Sequence, residues 1–285
     1  MDRYKETKYA GILGILGNIF LLIIKATIGI ITRSQAMIAD SANSASDVFA
    51  SFMTYIGNKI ASEPQDDSHN FGHGKAEYIF SMFISISMII LGIKILTDSI
   101  VSLILNEHME FSWGLVIVCV VTIIIKFLLY LYTNKLSRKH DNILLIANRD
   151  DHRNDCLVTS FTLISVLATL VNIYWLDGIV GIGISIWIVY TGIKIFIESF
   201  NTLMDKSLDE VSKKDILDII EKNSDVKEIK NISSIPVGHQ YIVVITICVD
   251  GKISTFDSHN LADKLEKEIS ELNKVYNTIV HVEPV

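Results

Sequence analysis

The chain has 285 residues but only three prolines and three cysteines, and it lacks a basic surplus. So few prolines leave little to interrupt long helices. Cys119, Cys156 and Cys248 lie far apart and form no CxxC or other zinc-type pair. Their usage fits a reducing, cytosolic side. A formal net charge of −7 excludes a broad basic surface for nucleic acid. The opening "MDRYKETKYAGILGILGN" has no small-residue cleavage pattern, so it reads as the start of a first membrane helix rather than a removable signal peptide.

What the chain has in quantity is apolar residues, at 50%. A soluble domain of this length buries an ample core with less, so the excess points to a membrane. Spanning the hydrocarbon takes roughly 20 helical residues. Residues 9–31, 78–104, 112–133 and 156–175 meet this readily, and 178–200 meets it with Lys194 and Glu198 near one end. The sixth span, 36–60, is too polar to insert alone and must face protein or water. Lys25, Lys94, Asp98 and Lys126 also fall within spans, and most such side chains reach an interface by snorkelling.

Basic residues orient the bundle. Arg3, Lys5 and Lys8 precede span one, Lys59 and Lys75 precede span three, and Lys135, Arg138 and Lys139 follow span four. The 1–2 connection has Arg33 alone, and "NEHMEF" has none. Six spans with both termini in the cytoplasm satisfy the positive-inside bias. The protein is expected in the cell membrane, embedded in lipid, with a transmembrane domain over 1–204 and a cytoplasmic domain over 205–285.

In the tail, "DEVSKKDILDIIEKN" and "DSHNLADKLEKEISEL" carry helical periodicity, while "VKEIKNISSI", "QYIVVITICVD" and "NTIVHVEPV" read as strands. An α-β-β-α-β order predicts a small α+β domain with helices on one face of a sheet. Its small size favours pairing with a second copy.

The chemistry lies in two polar stretches. "MIADSANSASDVFASF" holds Asn43 and Asp47, and "NRDDHRNDCLVTS" holds Asp151 and Asp155. Residues four apart stack on one helix face, so each pair points together. Buried unpaired carboxylates are costly, and the adjacent segments offer only Arg149 and Arg153, on other faces. A divalent cation is the simplest partner for three carboxylates and an amide oxygen. Asp40 and Asn148, three residues before Asn43 and Asp151, are candidates to support the ligands from behind or to bind further out. Because the cleanest apolar run of span five begins after Asp155, hydropathy alone puts the pair near the cytoplasmic edge.

These stretches resemble the cation diffusion facilitator family. "ADSANSASD" looks like its second-helix signature, "DDHRND" like the fifth-helix counterpart, and "EPQDDSHNFGHGKAE" like its loop between helices two and three. The resemblance covers all six spans and the tail. It implies a homodimeric antiporter that exports a divalent metal in exchange for protons, with a ferredoxin-like cytoplasmic domain and no prosthetic group. The transport site falls on Asn43, Asp47, Asp151 and Asp155. Zinc exporters of the family usually hold His or Asp at the first and third of these positions; here those are Asn43 and Asp151, and such an oxygen-only set suits harder ions. Mn²⁺ is the expected cargo, with Fe²⁺ next and Zn²⁺ or Cd²⁺ behind. Without an imidazole at those positions, protons must load on Asp47, Asp151 or Asp155.

The resemblance marks further residues. Asp66, His69 and His73 correspond to a peripheral loop site, and a solvated loop is the plainer alternative. Lys75 and Asp205 correspond to a pair that acts as a hinge. His259, His281 and Glu283 are what is left of a tail metal cluster, with Lys230 and Thr246 where other ligands would stand. Other classes fit less well. An intramembrane aspartyl protease needs Tyr-Asp and Gly-x-Gly-Asp, which do not stand at the paired positions, so no enzyme is expected. A membrane-anchored sensor would bind metal without flux.

Overall fold

The structure is a computed structural model that describes residues 2–32, 35–105, 111–168, 170 and 175–285. Arg33, residues 106–110 of the third connection and the end of the expected fifth span at 171–174 lie outside the described residues.

Six long helices come first: α1 Asp2–Thr32, α2 Gln35–Ala61, α3 Ala76–Leu105, α4 Trp113–His140, α5 Ile143–Ala168 and α6 Trp175–Leu203. Among the described residues, four stretches are long and apolar enough to cross a membrane: Arg3–Ile28, Ala76–Leu105, Trp113–His140 and Gly181–Leu203. α2 and α5 are comparable in length but carry the polar stretches. Large apolar side chains such as Phe20, Ile90, Ile104, Leu128 and Tyr190 point outward, as a lipid solvent requires. Inside, Ala50, Ile84, Met88, Leu144, Ala147 and Ile188 join α2, α3, α5 and α6 in one apolar cluster.

Small residues let α1 and α2 approach closely, as in membrane bundles generally. A Cβ on Gly14 would lie 2.6 Å from Ser51 Oγ. One turn on, the Asn18 amide donates to the Asp47 carbonyl and to Ser51 Oγ, both at 3.0 Å.

α5 departs from the hydropathy reading. It begins at Ile143, well before the apolar run at 156. Asp141, at φ 45°, ends α4 in the left-handed region, and the Asn142 side chain accepts the Leu144 N–H at 2.8 Å to start the next helix. Asp151 and Asp155 therefore sit near the middle of a 26-residue helix, not at its edge. At the end where α5 starts, Arg3 grips Glu77 with two bonds of 2.6 Å, and Asn142 adds one of 3.2 Å.

The tail has α7 Glu210–Glu221, β1 Glu228–Val237, β2 Gln240–Val249, α8 Thr255–Ser270 and β3 Val275–Pro284. The sheet order is β1-β2-β3, with β1 antiparallel and β3 parallel to the central β2. Alternation along β2 turns Val243, Ile245 and Ile247 to one face, where Ile216 and Ile220 of α7 and Leu261, Leu265 and Ile269 of α8 close the core. Side-chain caps from Asp209 and Ser254 start the two helices. This is the expected α+β arrangement.

The chain forms two compact units, Met1–Ser62 with Ala76–Phe200, and Glu63–Lys75 with Asn201–Val285. The loop after α2 thus groups with the tail. Glycine permits that grouping: a Cβ on Gly74 would sit 2.7 Å from Gly238 Cα at the tip of the β1–β2 hairpin.

Candidate metal centre

On α2, Ser44, Asp47, Ser51, Thr54 and Asn58 are all buried. Their spacing of three and four residues makes one polar stripe facing protein. On α5, Asn148, Asp151, His152 and Asn154 are buried as well, and the Asp155 side chain is 12% exposed. α4 adds Thr122 and Lys126.

Lys126 makes the central contact. Its Nζ donates to Asp47 Oδ2 at 2.8 Å and to Asp155 Oδ2, so carboxylates from α2 and α5 share one cation. Lys126 is 1% exposed. It does not snorkel, because it belongs to the inward face of α4 with Leu115, Val118, Cys119 and Thr122. Arg149 and Arg153 serve neither carboxylate; both pair with Asp150, at 2.8 and 3.2 Å.

Beside this pair, Asp151, His152 and Asp155 each offer a ligand atom, all within 4.8 Å of one another. Many of the surrounding polar atoms have no hydrogen-bond partner: Asp151 Oδ2, both ring nitrogens of His152, both amide atoms of Asn148 and of Asn154, and the Ser44 and Thr122 hydroxyls. Buried polar groups are normally paired, so this concentration calls for an explanation. Side chains that coordinate a divalent ion, or waters around one, would supply the missing partners. The side chains of Asn43 and Asp40 lie outside the described residues.

His152 was not among the expected site residues. It stands next to Asp151 in "DDHRND", off the four-residue row of Asp151 and Asp155, yet it lies in the same cluster. The pocket therefore holds a nitrogen donor in addition to the oxygens.

In the loop, His69 Nδ1 lies 3.1 Å from Asp66 Oδ1, and His73 Nε2 lies 3.5 Å from Asp66 Oδ2. This is the second metal-competent cluster among the described residues. Asp66 Oδ1 also accepts the His69 and Ser68 N–H groups, which hold its carboxyl below the ordinary range. Lys75 Nζ and Asp205 Oδ1 pair at 2.9 Å, both exposed.

The tail residues His259, His281 and Glu283 are not brought together into such a cluster. His259 faces Asp263 of its own helix at 3.3 Å. Glu283 is taken by Lys230 at 2.6 Å, which holds its carboxyl below the ordinary range, with His281 at 3.6 Å. That corner of the sheet is therefore an ion pair between Lys230 and Glu283.

Residues 11–204 match the family model described as the cation efflux transmembrane domain, and residues 208–285 match the cation efflux protein cytoplasmic domain. An uncharacterised transporter of Methanocaldococcus jannaschii is 30% identical over 285 residues, covering 99% of each chain. The manganese efflux system protein MneS of Bacillus subtilis is 29% identical, covering 100% of this chain and 99% of its own. MneP of the same organism is 25% identical, covering 99% and 98%. With both parts matched in order along nearly the whole length, the chain belongs to the cation efflux (cation diffusion facilitator) family, whose members are metal transporters rather than enzymes.

Proposed function

We propose that this protein exports Mn²⁺ from the cytoplasm in exchange for protons, by alternating access at a pocket between α2 and α5 formed by Asn43, Asp47, Asp151 and Asp155. The observation that carries this reading is the single cation shared by Asp47 and Asp155 across the two helices. Carboxylates that already hold one positive charge in a buried place have the geometry to hold another. Asn43 contributes a neutral amide oxygen, and Asp40 and Asn148 support from behind. Protons return on the carboxylates when the cargo leaves. The full-length similarity to proteins named for manganese efflux supports the choice of metal. In this reading the protein sits in the cell membrane as a homodimer with both termini cytoplasmic. Asp66, His69 and His73 hold a peripheral ion, and Lys75–Asp205 acts as a hinge.

His152 supports a second reading, in which Zn²⁺, Fe²⁺ or Cd²⁺ is carried, because an imidazole raises the affinity for those metals relative to Mn²⁺. Competitive metal flux in liposomes separates the two, with wild type beside Asn43→His. The manganese reading expects wild type to move Mn²⁺ against an imposed proton gradient and Asn43→His to shift preference toward zinc. Wild-type flux of zinc in preference to manganese, or a rate indifferent to the pH gradient, would count against it.

A further inference from the structure

We propose that the Lys126 ammonium is a tethered competitor of the transported ion. It fills the place between Asp47 and Asp155 while the carrier is empty and is displaced when a divalent cation enters. The inference rests on reading the α2–α5 pocket as the transport site.

Three observations carry it. Lys126 Nζ is bonded to one oxygen of each carboxylate, and these are oxygens an ion between α2 and α5 would use. The lysine comes from a third helix, α4, and is fully buried, so its charge is directed into the pocket rather than toward a headgroup. The unpaired atoms of Asp151 and His152, which share a ligand cluster with Asp155, are unclaimed by the lysine. An ammonium is a compact charge on a flexible four-carbon stem. It can give up one carboxylate oxygen and swing aside without leaving the bundle.

Charge then sets what can replace it. In the proton-free state the three aspartates outnumber the buried ammonium groups of Lys126 and Lys25, the latter also acting on Asp155, so a divalent cation brings compensating charge that the displaced lysine does not. A monovalent cation offers only what the lysine already supplies at no dehydration cost, and so gains little by entering. A resident ammonium thus screens out sodium and potassium, weakens binding of the true cargo, and speeds its release.

The test compares the full-length wild type with Lys126→Met, Lys126→Gln and Asp155→Asn, using Mn²⁺ alone as the probe. Binding is measured in choline and then in potassium buffer, and flux is measured in liposomes. The proposal expects at least about tenfold tighter Mn²⁺ binding in the lysine variants, equivalent to about 1.4 kcal/mol. It also expects KM and the maximal rate to fall together, and potassium to compete in the variants but not in wild type. A lysine that only braces the bundle would leave potassium without effect and would not tighten binding. Unchanged or weaker affinity in both lysine variants, with Asp155→Asn abolishing binding, overturns the proposal and leaves the site reading standing. Failure of both lysine variants to fold overturns it too, since the residue would then be structural. Wild-type affinity in Asp155→Asn would remove the site reading itself, and the proposal with it.

Discussion

The two interiors of this molecule are built on opposite rules. In the tail, Ile216, Ile245, Ile247 and Leu265 are fully buried against one another, and the charges lie outside. In the helical unit, apolar side chains such as Phe20 and Leu128 lie outside, and the centre holds Asp47, Lys126, Asp151 and His152. The tail interior serves stability. The helical interior tolerates unpaired polar atoms, which is the state expected of a place that a solvated ion visits. Aqueous surroundings drive the first arrangement; in lipid, helix association gains nothing from burying leucine, so the centre is free for polar work.

Substitutions can break or sharpen this contrast. The largest effect is expected from Asp155→Asn, which leaves Lys126 with Asp47 alone. Breaking a buried pair costs about 3–5 kcal/mol of stability, and losing a carboxylate of the proposed pocket should by itself lower Mn²⁺ flux in liposomes by roughly two orders of magnitude. Hydrogen exchange in the tail should not change. Flux at the wild-type level would mean the polar centre is not the ion path. Next, Ile245→Ala opens a cavity in the tail core and should lower its stability by about 2–4 kcal/mol, read as faster exchange of the β2 amides. Mn²⁺ affinity in the helical unit should hold; if it collapses as well, the two interiors are not separable.

Asn148→Leu tests the rule directly. Its two amide atoms have no partner, so an apolar replacement of similar size should leave thermal stability unchanged or raise it by about 1–3 kcal/mol. Flux should nevertheless fall, and a variant that is less stable yet fully active would reverse the interpretation. The smallest effect belongs to Asp209, which caps α7. Lys274 at 2.9 Å, then the Ser212 N–H, lower its carboxyl from 3.8 to about 2. Because the folded value lies below the unfolded one, this contribution is complete above about pH 4 and disappears as pH falls through 2. The side chain is half exposed, so screening keeps the ion pair weak. Asp209→Ala should cost about 1 kcal/mol at neutral pH, mostly through the lost cap. An acid titration of tail unfolding should show the two proteins converging toward pH 2.

Much of the fold could be read from the residues because period and environment agree there. β2 alternates, α7 and α8 carry apolar stripes, and four helices are apolar along their length. Less is legible where polar side chains face protein inside the membrane unit. Hydropathy started span five at 156, because an average over a window cannot see that Asp151 and Asp155 point inward; the Asn142 cap was the local signal for an earlier start. Lys126 stands in "TIIIKFLLY", far along the chain from both of its partners, and nothing local to that run announces them. His152 lies outside the four-residue row of Asp151 and Asp155, so spacing alone does not mark it as part of their cluster.

The grip of Asn18 on the Asp47 carbonyl carries a mechanical consequence. The helix that carries Asp47 is tied through its backbone to α1, whose apolar Leu16, Phe20 and Ile23 side chains are exposed. With Gly14 seated against Ser51, neither can slide along the other. In the proposed transport cycle, a tilt of α2 would carry α1 with it as one rigid lever.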